Sequence, residues 1–249
     1  FLFVPIAFIV AFSFNKPKGK FNIVWQQFTL DNWRNPVADE ALTQALWTSL
    51  RIAGISTVIS TVLGSMIAIS LSRYKFRGSS TYGFLLVLPL TTPEIVLGSS
   101  LATLFLGQSV VDFGFVTILI AHVMFQVSFV ALTVRARIRG YDWTLEQAAQ
   151  DLGATPFLTF RRVTLPLILP GILAAALLAF ALSIDDFIIT FFNSGSTTTF
   201  PLQIFGASRV SISPHINVLA TSILFVTIVI LAIGTISGSR RRARHGLDD

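Results

Sequence analysis

Long charge-free runs alternate along this chain with short basic segments. Ile52–Ser72, Phe113–Val134, Val163–Ile184 and Ile216–Ser239 contain no Asp, Glu, Lys or Arg. Each reaches the ~20 mostly apolar residues that a helix needs to cross the hydrocarbon core. A fifth stretch, Gly78–Val111, is interrupted only by Glu94. The opening run, Phe1–Asn15, is apolar but shorter. It begins at Phe rather than Met, so it is expected to continue a helix whose first few residues are missing. It has no basic n-region and no small-x-small site follows it, which argues against a signal peptide. The pattern predicts an all-α, polytopic membrane protein with six transmembrane helices.

Composition agrees with that class. Of 249 residues, 53% are hydrophobic and 12% charged, with a mean hydropathy of +0.75. Soluble domains carry about 25% charged residues, so a water-soluble globule is excluded, as are a disordered chain and a coiled coil. The absence of cysteine rules out disulfides, thiolate catalysis and cysteine-ligated metals. With three histidines, a metal site has little support.

The net charge of +6 and pI near 10.3 acquire meaning from their placement. With six spans, one side holds Arg73, Lys75 and Arg77, then Arg135, Arg137, Arg139, Arg161 and Arg162, then Arg240, Arg241, Arg242 and Arg244. The other holds Lys16, Lys18, Lys20, Arg34 and Arg209, and Arg51 sits at a helix end where it can snorkel. Cytoplasmic loops carry the excess of Lys and Arg, so the first side is cytoplasmic and both termini lie inside. The basic tail, residues 240–249, reads as a topology anchor on membrane lipid rather than a nucleic-acid patch. No nucleic-acid partner is expected. Residues 1–239 are expected to form a single transmembrane domain.

Ser56, Ser60, Gly64 and Ala68 lie four apart and share one helix face, which predicts close packing against a neighbouring helix. A cytoplasmic loop, about 136–165, follows the fourth span. Within it Leu145, Ala148, Ala149 and Leu152 fall on one face of a short helix. Gly153 is a stop for that helix. Thr155-Pro156 is a cap and first-turn signal for a second short helix through Phe160 and Val163, and Pro166 marks the start of the fifth span. Composition leaves a partner-docking knob and a cap on the bundle equally open.

Gln147-Ala148-Ala149, Gly153 and, nine residues later, Val163-Thr164-Leu165-Pro166 resemble the loop motif EAA-x3-G-x9-I-x-L-P of binding-protein-dependent ABC importer permeases. Gln147 stands where that family has glutamate, with Glu146 just before it, and Val163 replaces isoleucine. Further stretches are similar to the second permease subunit of the spermidine/putrescine branch: Arg73-Tyr74-Lys75-Phe76-Arg77-Gly78, Pro93-Glu94-Ile95-Val96, Leu182-Ser183-Ile184-Asp185-Asp186-Phe187 and Ser213-Pro214-His215-Ile216-Asn217. The resemblance runs over nearly the whole chain. It implies the type I importer (methionine-permease-like) fold and a place in the plasma (cell inner) membrane. The loop would be a coupling helix, with Glu146, Gln147, Ala148, Ala149 and Gly153 meeting a cytoplasmic ATPase. The implied partners are a second, non-identical permease, two ATPase copies that hold the ATP and Mg, and an extracytoplasmic substrate-binding protein.

Ionisable residues inside spans are costly and face a cavity or a partner. Glu94, Asp185 and Asp186 qualify. Glu94 follows Pro89 and Pro93, which break regular helix hydrogen bonding. Adjacent helical residues diverge by about 100°, so at most one of Asp185 and Asp186 is expected to face a translocation path, the other pairing within the bundle or with a partner subunit. Spaced carboxylates and aromatic faces suit a polyamine's ammonium groups. His122 and Gln126 share a face of the fourth span and predict interhelical hydrogen bonds. The chain has no G-x4-G-K-[ST] phosphate loop and no catalytic constellation, so it is expected to be no enzyme and to carry no cofactor of its own. Rival readings are an importer permease for a phosphonate or metal-organic solute, an ATP-independent secondary transporter or channel, and a non-transporting scaffold.

Overall fold

The computed structural model describes residues 1, 3–74, 76–108 and 111–245, by backbone alone at residue 108 and beyond residue 229. Lys75, the side chains of Arg240, Arg241, Arg242 and Arg244, and residues 246–249 of the basic tail lie outside that description. The described chain is helical, with two isolated β-bridges. In chain order the helices are α1 (Val4–Phe12), α2 (Asp31–Arg34), α3 (Glu40–Arg73), α4 (Ser79–Leu85), α5 (Leu88–Thr91), α6 (Glu94–Gln108) and α7 (Phe115–Ile138). Then come α8 (Thr144–Asp151), α9 (Pro156–Thr159), a π-helical turn (Phe160–Thr164), α10 (Leu165–Asp185), α11 (Ile188–Asn193), α12 (Phe200–Ser208) and α13 (Pro214–His245).

Three stretches, Glu40–Arg73, Phe115–Ile138 and Pro156–Asp185, are long and apolar enough to cross a membrane. Ser79–Thr91 and Glu94–Gly107 make a fourth only as a broken pair, bent by 105°. The expectation of six spans thus becomes three long helices and one broken pair among the described residues. The break in Gly78–Val111 has a local cause. Thr92 takes an extended conformation (φ −76°, ψ 130°), as a residue before proline is driven to do.

The start of the fifth span also differs from expectation. The helix begins at Pro156 and runs to Asp185 without interruption. Pro166 has no N–H, and its ring would crowd the carbonyl of Arg162 in a regular α-turn. The π turn at Phe160–Thr164, just before it, widens the coil and supplies the room.

The chain divides into two compact units. The first comprises Phe1–Gln44 and Gln203–Asp249, with α1 and α2 packed on α13. Between α1 and α2 the chain folds around the fully buried Asn15. Its amide donates to Asn22 Oδ1 at 2.6 Å and to the Val24 carbonyl at 2.9 Å, and its Oδ1 accepts from Gln26 N–H at 2.8 Å. The Phe14 ring stacks on Phe28 and Trp33, with centroids at 5.8 and 5.5 Å.

The second unit, Ala45–Leu202, is organised around α7. One core cluster joins Ala68 of α3, Val130, Val134 and Ile138 of α7, and Ile168, Ala175 and Ala179 of α10. Another joins Leu101 of α6, Ala121 and Phe125 of α7, and Ile189 of α11. The small-residue ladder of α3 lies on this interface. Ser56, Ser60 and Ala68 are fully buried, and a Cβ on Gly64 would come within 2.7 Å of Val130 Cβ. Backbones approach this closely only where side chains are minimal.

Candidate functional site

Two sites lie within the second unit. The first begins where α10 ends. Asp186 leaves the helix with extended backbone (φ −61°, ψ 121°), and α11 restarts two residues later. Its side chain, 6% exposed, turns inward. Oδ2 accepts from Thr190 N–H at 2.8 Å and Thr190 Oγ1–H at 2.7 Å, and lies 3.2 Å from His122 Nε2. Asp185, by contrast, is exposed.

A chain of hydrogen bonds runs from Asp186 across four helices. His122 Nε2 is 2.9 Å from Thr190 Oγ1, and Nδ1 is 2.7 Å from Ser183 Oγ. Ser183 meets Ser56 at 3.3 Å, Gln126 Nε2 donates to Ser56 at 3.2 Å, and Ser60 donates to Gln126 Oε1 at 3.0 Å. One direction satisfies these groups. Gln126 donates to Ser56, Ser56 to Ser183, Ser183 to His122 Nδ1, and His122 Nε2–H toward Thr190 and Asp186. Each side chain of this network then has a partner, which low-dielectric burial favours. His122 and Gln126 therefore do make the interhelical bonds their spacing suggests. In the sequence Ser56 and Ser60 show only as small members of a helix-face ladder, and no local pattern marks Ser183 and Thr190 as polar partners.

Glu94 opens α6 and is exposed. It lies within electrostatic reach of both Asp186 and Asp185. The cause is the packing of α6 on α11. A Cβ on Gly98 would touch Ile189 Cα at 3.2 Å, and Asn193 Nδ2 donates to the Gly98 carbonyl at 3.2 Å. Two helix breaks, each carrying carboxylates, thus meet in one place. Glu94 and Asp186 stand at helix starts, where negative charge is favourable. Asp185 has no such role. Phe191, 54% exposed, follows with its ring 5.7 Å from that of Phe187. Exposed carboxylates beside aromatic faces can attract a cation and pack its methylenes.

The second site is the loop between α7 and α10. α8 ends as expected, with Gly153 in the left-handed region at φ +87°. Thr155 caps the next helix by accepting from Leu158 N–H at 3.4 Å, with Pro156 in the first turn. Gln147 and Ala148 are exposed, Ala149 is half-buried, and Leu152 is 90% exposed. Glu146 differs from these neighbours because it is buried at 4% exposure, paired with Arg73 at 2.9 Å. Just before α8, Asp142 is held below the usual carboxylate range by the backbone N–H and hydroxyl of Thr144, both donating to it.

Three long apolar helices and a broken fourth pair place the chain among membrane-spanning proteins. The chain belongs to the family of binding-protein-dependent transport system inner membrane components, which it matches over residues 60–242. It is 38% identical over 231 residues to the putrescine transport system permease protein PotI of Escherichia coli (strain K12), covering 90% of this chain and 82% of that one. It is 36% identical over 232 residues to the spermidine/putrescine transport system permease protein PotC of the same strain, covering 93% and 87%. A chain of the MetNI methionine ABC transporter, solved in inward facing conformations, superposes with a TM-score of 0.63 at 17% identity. That match covers 82% of this chain and 97% of that chain. The fold is therefore that of an ABC importer permease.

Proposed function

We propose that this chain is the transmembrane permease subunit of an ATP-driven importer that carries polyamines, spermidine or putrescine, across the cell inner membrane. One coincidence carries the reading. Relatives named for polyamine transport match nine-tenths of the chain, and three carboxylates gather at two helix breaks where a polycation needs them. Asp185 and Glu94 line the substrate path, and Asp186 supplies a fixed charge behind them. Residues 1–239 act as one permease domain of six spans, the three long helices being completed by α1, the bent pair and α13. Both termini are cytoplasmic, and the basic tail rests on lipid.

The partners in this reading are a second, non-identical permease, two ATPases and an extracytoplasmic substrate-binding protein. The exposed Gln147, Ala148 and Leu152 dock on the ATPase, whose closure rocks the helices between inward- and outward-facing states. Uptake of labelled spermidine and putrescine by the reconstituted complex tests this. Polyamine-dependent uptake with stimulated ATP hydrolysis is expected. Uptake of a phosphonate or metal-organic solute in its place, or polyamine transport without the ATPase, would overturn it.

Gly153 gives a second test. A Cβ there meets nothing within 4 Å, so only the backbone conformation demands glycine. A non-glycine residue in that region costs roughly 1–2 kcal/mol, least for asparagine. Gly153→Val is therefore expected to weaken co-purification of the ATPase while membrane insertion is unchanged, and Gly153→Asn to retain most of it. Equal retention by both variants would count against the turn's role in docking.

A further inference from the structure

α8 shows an inverted pattern for a helix outside the spans. Its leucines, Leu145 and Leu152, are exposed, while its acid Glu146 is buried. Glu146 Oε2 pairs with Arg73 Nη2 at 2.9 Å, and Oε1 accepts from Thr164 Oγ1–H at 2.5 Å and from Tyr141 O–H at 3.5 Å. Arg73 is the last residue of α3, and Thr164 closes the π turn that begins the long α10 helix. The Arg73 guanidinium also lies 5.8 Å from the Trp143 ring centroid, and Trp143 packs edge-on against Tyr141 at 4.8 Å. A phenol is protonated at neutral pH, so Tyr141 serves the carboxylate as a donor. One carboxylate therefore joins α8 to the ends of two long helices.

The covalent connections of α8 are poor transmitters by comparison. Gly140 precedes it in open space, where a Cβ would meet nothing within 4 Å, and Gly153 follows it in an equally open left-handed turn. A push on α8 could be absorbed by rotation at both glycines. The ion pair opposes this, since sliding α8 away from α3 would leave the buried Glu146 carboxylate without the more exposed Arg73 guanidinium that neutralises it.

We propose that Glu146 is the joint through which displacement of α8 reaches α3 and α10, and that it acts within the permease rather than on the ATPase. This rests on the reading of α8 as a coupling helix. Docking belongs to the exposed face of α8, and transmission to its buried one. Loss of the joint leaves the ATPase bound but its motion unused.

The test uses the reconstituted complex with its binding protein, reading ATPase co-purification and polyamine uptake per ATP hydrolysed. For Glu146→Gln and Arg73→Gln, co-purification at wild-type amounts and an uptake-to-ATP ratio lowered about tenfold are expected, within the range of measured coupling effects. The double variant should be no worse than either single one, because the two residues serve one interaction. Thr164→Val, which removes only a hydroxyl, should lower the ratio in the same direction and guards against a misfolded charge variant. Leu152→Asp should behave in the opposite manner, losing the ATPase. An unchanged ratio in Glu146→Gln and Thr164→Val, or loss of ATPase binding in Glu146→Gln, would overturn the proposal. A wild-type complex without any coupled uptake would instead overturn the coupling-helix reading itself.

Discussion

Gly64→Val is expected to leave little folded permease in the membrane, with transport lost in proportion. Gly64 faces α7 from the middle of α3, where a Cβ would sit 2.7 Å from both Val130 Cβ and Cγ1 and 3.0 Å from the Ala131 backbone nitrogen. A flexible side chain can swing aside, but a β-branched neighbour and a helix backbone cannot. The two helices would have to separate, and with them the Ser56–Gln126 and Ser60–Gln126 bonds two turns and one turn away. Overpacking alone costs typically 1–3 kcal/mol, and unpaired polar groups in an apolar interior add about 1–3 kcal/mol each. Gly54, in the same helix, meets nothing within 4 Å. Gly54→Ala should be tolerated, since alanine is the better helix former by about 1 kcal/mol. Membrane abundance of the two variants, measured by detergent extraction and size-exclusion chromatography, checks the pair. Wild-type amounts of monodisperse Gly64→Val would refute the close-approach argument. Val130→Ala added to Gly64→Val should recover only part of the loss, because the Ala131 nitrogen remains in the way.

The contrast between these glycines illustrates which levels of structure were readable in the chain. α3, α7 and α10 follow from charge-free runs because a bilayer leaves helix as the main way to satisfy their backbone groups. The four-residue ladder of small side chains likewise points to close packing, since the period of the helix fixes which face it occupies. Pro89 and Pro93 mark where a helix must break, but not how far it turns. The bend is 105°, and beyond it α6 packs through Gly98 on Ile189, a residue ninety-one positions further on. The pair Asp185-Asp186 shows the same limit. Adjacency on a helix says the two side chains diverge, yet His122 and Thr190 decide which one is buried. Glu146 is the clearest case. A local motif places it beside the exposed Gln147 and Ala148, whereas Arg73 and Thr164, distant in sequence, draw it inward.

Asp186 and Asp185 are expected to fail in different ways when altered. Asp186→Leu removes the acceptor for Thr190 N–H, the Thr190 hydroxyl and His122 Nε2 at one stroke. Leaving a buried donor without its acceptor costs about 1–3 kcal/mol, and three such losses are comparable with the whole stability margin of many proteins. The variant should not accumulate. Asp186→Asn is the informative companion. Its amide oxygen can take the place of Oδ2 and accept the same donors, so the network from Gln126 to Thr190 survives while the charge is lost. It should reach near wild-type abundance, and any transport defect then reports the charge alone. Asp185→Asn disturbs no comparable network, because that side chain is exposed. It should assemble normally and raise the polyamine concentration needed for half-maximal uptake about tenfold, the effect of ~1.4 kcal/mol in binding. Glu94→Gln should act in the same direction, since its charge shares the same region. Abundance by immunoblot and uptake across a range of spermidine concentrations separate the two failures. If Asp186→Leu accumulates like the unaltered chain, the buried network does not hold α10 and α11 together. If Asp185→Asn and Asp186→Asn both transport as before, the carboxylates do not serve a cation path and their place at the helix breaks is structural alone.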